Sequence, residues 1–249
     1  MTYCLGIKIK DGLIALADGR ITSGTQLSAA QKLIMMESQG SRFFIMTSGL
    51  RSVRDKTLAY LRRSLTHERT EGFPTMLEAV TCFSRCLRQV AKEDREALEA
   101  SKLTFNLHAI IGGQLSADSE PYMYLVYPEG NWIEVDERTP YLTIGATGYG
   151  KPILDRALRY TTSMQTALKI AYLSFDSTRF STSDVGYPFD LTTYTNAERH
   201  WRLTTFDYDD LVEQRQWWNR NITNLLQGLP DSPWATRLMP PDLLNRDLP

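Results

Sequence analysis

The sequence predicts an α+β chain of four layers, two β-sheets packed face to face with helices outside, an αββα sandwich. Three observations carry this. Strand-like segments come in consecutive, antiparallel-looking runs. Helical periodicity appears in pairs between those runs. The 249 residues suit one large domain or two small ones and can bury a substantial core. A parallel βαβ sheet would need strands and helices to alternate one by one, which they do not.

The first run is YCLGIKIKDGLIALADGR, with Leu5, Ile7 and Ile9 on one face and Lys10-Asp11-Gly12 turning into LIALA. This reads as a hairpin. A polar loop, GRITSGTQLSAA, follows; then KLIMM, the turn SQGS and RFFIMTSG form a second pair, so four strands are expected before any helix. From Leu50 the period changes. Pro74 suits a first helical turn, and Met76, Val80, Phe83, Leu87 and Val90 recur at steps of four and three, so two helices are expected. LTFNLHAIIGG, YMYLVYPEGNWIEV and YLTIGA read as strands of a second sheet. Ile153 to Arg159 and Ser163 to Ser174 read as two more helices. VGYPFDLTTY and HWRLTTF return to strand, and DYDDLVEQRQWWNRNITNLLQGL reads as a helix ended by Gly228 and Pro230. Residues 1–230 are expected to form one domain. Residues 231–249 hold four prolines among Trp234, Leu238, Met239, Leu243 and Leu244, and are expected to be an arm docked on the body or on a neighbouring subunit.

Composition narrows the function. The 28 basic and 29 acidic residues give a net charge of −1. That balance argues against a nucleic-acid or anionic-membrane binder, which would carry a basic surplus. No apolar run reaches the length of a bilayer, and no signal-peptide pattern opens the chain, so a cytoplasmic protein is expected. Cys4, Cys82 and Cys86 lack disulfide spacing, and His67, His108 and His200 do not bracket them as zinc ligands would. Buried, reduced thiols are expected, and no cofactor or metal is called for.

Thr2, standing directly before the first strand, poses the chemical question. A threonine hydroxyl is a weak nucleophile, but at an N-terminus the free α-amine can act as its base. That amine has an ordinary pKa of about 7.7–8.0, and a nearby ammonium would keep it neutral. The constellation needed is an N-terminal Thr, a buried Lys, a carboxylate to hold that Lys charged, and a backbone donor for the oxyanion. Asp18 ends the second strand, Lys32 opens the next, and Gly49 closes the one after. Each also has a plain reading: a turn at Asp18-Gly19, a solvated strand end at Lys32, a loop at Thr47-Ser48-Gly49. Catalysis by Thr2 would further require removal of Met1.

MTYCLGIKIKDGLIALADGR, SGLRS, YGKPILDRAL and FDSTRFSTSDVGYPFDLTTY together resemble the bacterial proteasome-related Anbu (ancestral β-subunit) family of N-terminal nucleophile hydrolases. The resemblance spans nearly the whole chain. It implies the αββα sandwich of a proteasome β-subunit, reached above by a separate route. It also implies a threonine-type peptidase or amidohydrolase in a homo-oligomeric ring or open spiral, acting on a peptide or protein; an ATPase partner follows only by analogy. Residue by residue, Thr2 matches the nucleophile, Asp18 the aspartate that pairs with the lysine, Lys32 that lysine, Gly49 the oxyanion-hole glycine, and Asp176 the second aspartate. Two family serines have no match. One falls among Ala146, Thr147 and Tyr149; at the other stands Arg179, with Ser177 and Ser181 nearby. Thr47, Ala30 and Ile21 match specificity-pocket positions. The alternatives are an amidase or acyl transferase on a non-peptide amide, and a non-catalytic assembly protein on the same fold. Trp217 and Trp218 are expected either in a subunit interface or in the core.

Overall fold

The structure, a computed structural model, describes residues 2–23, 26–29, 31–38, 40–65, 72–230 and 237–238, with backbone alone over 21–23 and 26–29. It divides into two compact units, 1–207 and 208–249.

The first unit opens with β1 (Tyr3–Ile9) and β2 (Gly12–Asp18), joined at the Lys10-Asp11-Gly12 turn as expected. The polar loop that follows contains a small hairpin of its own, β3 (Arg20–Ser23) with β4 (Gln26–Ala29). Among the described residues six strands, not four, therefore precede the first helix. The missed pair is short and polar, so hydrophobic periodicity does not mark it. Next come β5 (Leu33–Ser38), β6 (Ser41–Gly49), α1 (Arg51–Arg63) and α2 (Met76–Ala100). The strands β7 (Leu107–Gly113), β8 (Tyr122–Val126), β9 (Trp132–Glu134) and β10 (Tyr141–Gly145) lead to α3 (Lys151–Ala157) and α4 (Met164–Ser181), then to β11 (Phe189–Thr195) and β12 (His200–Phe206).

One sheet runs β10-β1-β2-β11-β12 and the other β5-β6-β7-β8-β9, with every described pairing antiparallel. The first unit is an αββα sandwich. Helices α1 and α2 cover the second sheet through Val53, Leu58, Leu61, Val80, Phe83 and Leu87, packed on Phe43, Ile45, Ile111 and Tyr124. Between the sheets lie Cys4, Leu13, Ala15, Phe44, Met46, Ile110 and Met123. Successive residues of the Phe43–Met46 run thus alternate between two cores, which is why this strand is continuously apolar. Helix α4 lies on β1 and β2 from the other side.

Several boundaries move. Helix α3 starts at Lys151, with Pro152 in its first turn, and ends at Ala157 rather than Arg159. Helix α4 follows its Ser163 cap, as expected, but runs on to Ser181, because Phe175 and Thr178 keep facing inward. The strand read from Val185 begins only at Phe189. All three cysteines are buried free thiols. In the second unit a 3-10 turn (Asp209–Leu211) leads into α5 (Val212–Gln227), capped by Gly228 as expected. Trp217 is exposed and Trp218 half-buried, so core packing does not account for Trp217. Most of the expected arm lies outside the described residues. No helix of the described residues is long and apolar enough to cross a membrane.

Candidate active site

The β1–β2 register pairs Cys4 with Ala17, and so sets Tyr3 opposite Asp18 at the end of the hairpin. The Tyr3 amide donates to Asp18 Oδ1 at 2.8 Å, and Lys32 Nζ donates to the same oxygen at 2.8 Å. Lys32 Nζ also donates to the Arg20 carbonyl at 2.6 Å. Asp18 is fully buried and Lys32 is 5% exposed. Lys32 is therefore no solvated strand end, and Asp18 no mere turn residue. The acceptor oxygen is tied directly to the peptide that joins Thr2 to Tyr3.

Burial pushes the Asp18 carboxyl above the ordinary carboxylate range; the Lys32 ammonium and the amides of Tyr3 and Gly186 oppose that push. The loop after α4 supplies the Gly186 amide and closes over this corner. Gly19 N–H donates to the Pro188 carbonyl at 2.6 Å, and Arg20 Nη1 to the Ser183 carbonyl at 2.8 Å.

Thr2 is half-buried, and its carbonyl accepts from Ala146 N–H at 2.7 Å. Of the three residues left open by sequence, Ala146 makes this contact, through its backbone, and Tyr149 is exposed. Gly145 makes the approach feasible. Its φ is +89°, and a Cβ there would stand 1.8 Å from the Thr2 carbonyl oxygen. Gly145→Ala should cost about 1–3 kcal/mol in backbone strain alone, lowering the melting temperature, and should displace Thr2. A melting temperature equal to the parent's would contradict this reading of the turn.

Gly49 ends β6 at the same end of the sandwich. The Cys4 thiol lies 4.0 Å from the Thr47 carbonyl, so Thr2, two residues back on one strand, and Gly49, two residues on along the other, share a rim. Gly49 has φ +137°, and a Cβ there would fall 2.2 Å from the Asn106 carbonyl. Only glycine fits this strand end. Thr47 is buried, while Ala30 and the side chain of Ile21 lie outside the described residues, as does Met1.

Asp176 takes a different partner from the lysine pair. Arg179, one turn on, donates to its Oδ1 from Nε at 2.9 Å and Nη2 at 2.6 Å, with the guanidinium 5.5 Å above the Tyr187 ring. Ser177 is half-buried and Ser181 exposed. Two contributors escape sequence reasoning. Ser174 donates to the Gly150 carbonyl at 2.9 Å, leaving its oxygen to meet the Tyr3 hydroxyl at 2.5 Å, so the residue after Thr2 is anchored beneath α4. Burial holds the Tyr3 phenol far above its usual range, as a neutral donor. Tyr3 and Ser174 stand 171 residues apart, so no local pattern announces the pair.

The arrangement sets a buried lysine–carboxylate pair against the peptide that follows Thr2, with a glycine strand end on the same rim; a nucleophilic hydroxyl with these neighbours can carry out acyl transfer. A family model described as Proteasome subunit matches residues 2–193. Among solved structures, the helical assembly of the Anbu complex from Pseudomonas aeruginosa is 29% identical, with TM-score 0.84, covering 94% of this chain and 99% of that one. Anbu from Yersinia bercovieri is 29% identical, with TM-score 0.80 and 92% and 98% covered. An Anbu (Gly-1) mutant from Hyphomicrobium sp. strain MC1 is 27% identical, with TM-score 0.83 and 93% and 99% covered. No curated protein matches the sequence. A match over 192 of the 249 residues, on a sandwich that superposes along its length on these structures, has one meaning: the chain belongs to the proteasome subunit family, as a member of its Anbu branch.

Proposed function

We propose that the protein is an N-terminal threonine hydrolase that cleaves peptide or other amide bonds. The observation that carries this reading is the buried Lys32–Asp18 pair, whose shared oxygen is hydrogen-bonded to the amide immediately after Thr2. Once Met1 is removed, the Thr2 α-amine takes the hydroxyl proton as Oγ attacks the carbonyl carbon. The Lys32 ammonium, which donates to Asp18 and to the Arg20 carbonyl, disfavours a second positive charge nearby and so keeps that amine neutral and able to accept. The Gly49 N–H stabilises the oxyanion. The proton passes to the departing amine, and water then releases the acyl group from Thr2.

The Asp176–Arg179 pair favours a narrower substrate range. Asp176 is committed to a guanidinium where the family pattern has a serine, so the amine lacks that hydroxyl to order its water. An activated or non-peptide amide suits such a site better than an unstrained peptide. Assembly with other copies of this chain is proposed as well, because the Pseudomonas aeruginosa relative is described as a helical assembly of a complex.

The test is turnover of a library of peptides and simple amides by protein whose Met1 removal has been verified by intact mass. Thr2→Ala is expected to lower turnover by about 10²–10⁴-fold. Equal turnover by parent and Thr2→Ala would end the proposal.

A further inference from the structure

At the end of the sandwich opposite Thr2 the two sheets part around a cleft of about 410 Å³. That volume lies within the range of small-molecule sites. Its walls are the β5–β6 turn, the end of β7 and the β11–β12 turn. Two hydrogen bonds between the sheets seal its floor: the Tyr194 hydroxyl donates to Gln114 Oε1 at 2.8 Å, and Trp201 Nε1 to the Arg42 carbonyl at 3.0 Å. The floor is thus polar in part and rests on the core between the sheets, to which Tyr194 belongs and on which Trp201 packs.

The rim is basic. Arg42, Arg199 and His200 face it, against Glu37 alone. Arg42 meets Glu37 at 3.7 Å with both side chains about 60% exposed, an ion pair of little energy that an incoming anion can displace. Arg199 makes no ion pair among the described residues. It sits at φ +51° in the β11–β12 turn, pinned by its N–H to the Thr195 carbonyl at 2.8 Å. Gln114, 8% exposed, spends one amide hydrogen on the Asp118 carbonyl and one lone pair on Tyr194, and keeps one donor and one acceptor site in reserve.

We propose that this cleft binds a small organic anion, its carboxylate or phosphate gripped by Arg199 and Arg42 and its body seated on Gln114, Tyr194 and Trp201. The planar guanidinium fork matches both anions. The site is separate from Thr2, and the inference does not depend on hydrolysis.

Titration calorimetry of the full chain in low-salt buffer, with phosphoserine in one arm and citrate in the other, tests it. Saturable binding is expected in at least one arm; binding of phosphoserine alone names a phosphate ester, of citrate alone a polycarboxylate, and of both a general anion site. Arg199→Gln should weaken binding at least tenfold, and Arg42→Gln with Arg199→Gln should remove it. Glu37→Gln, which deletes the competing carboxylate, should tighten binding several-fold. Melting temperature and any Thr2-dependent turnover should stay at parent values in all of these variants. Absence of saturable binding in both arms, or equal affinity in the double variant, would overturn the proposal.

Discussion

Lys32→Met is expected to destabilise the fold by about 3–5 kcal/mol at neutral pH, because it leaves the Asp18 carboxylate buried without its counter-charge. At roughly 2–4 °C per kcal/mol for a chain of this size, the loss is plain in a thermal melt. The sign with pH can be worked out. Asp18 already has its carboxyl raised by burial, and the Lys32 ammonium is the largest influence opposing that rise. Without Lys32 the folded-state value climbs further above the unfolded value of about 3.9. The folded state then holds the proton more tightly than the unfolded one, so stability falls as pH rises from about 4 through the folded-state value. The variant should thus lie closest to the parent in mild acid and furthest from it at neutral pH. Asp18→Asn combined with Lys32→Met removes both charges and should recover most of the stability, as buried pairs replaced by neutral groups often do. It should not recover turnover. A Lys32→Met gap that widens on acidification would refute the assignment of Lys32 as the counter-charge of Asp18.

Phe175→Ala should cost about 3–5 kcal/mol, the range for deleting a fully buried aromatic ring. Phe175 on α4 is wholly inaccessible to solvent, with its ring centroid 4.5 Å from that of Phe189 and 5.3 Å from that of Tyr187. Phe189 is the register partner of Asp18, and Tyr187 lies under Arg179. The cavity would therefore open where the loop after α4 is held against the site. Turnover should fall along with stability, whereas Phe175→Leu, which keeps most of the volume, should retain most of both. Loss of less than about 1 kcal/mol in Phe175→Ala, read by denaturant unfolding, would contradict this picture of the α4 contact.

The fold was largely legible because its layers write themselves into local patterns. The Lys10-Asp11-Gly12 turn, the four-and-three spacing of Met76 to Val90, and Gly228 after α5 each report the element they belong to. The β3–β4 hairpin did not, since four-residue polar strands carry no apolar alternation. The site was legible in kind more than in contact. Threonine at position 2, an acid at one strand end and lysine at another suggested the chemistry, but nothing local says that Lys32 meets Asp18. Register and burial decide it. Tyr3 with Ser174, and Ala146 with Thr2, are joined by tertiary packing alone. Arg179 was visible as a departure from the family serine, while its grip on Asp176 required the helix geometry of α4.

Treatment with an electrophilic acylating probe, followed by intact mass and peptide mapping, shows whether Thr2 is the nucleophile. The expected product is a chain that has lost Met1 and carries one adduct on Thr2, with labelling abolished in Thr2→Ala and strongly slowed in Lys32→Met. Retention of Met1 in the native protein, or an adduct formed elsewhere while Thr2 stays free, would contradict it.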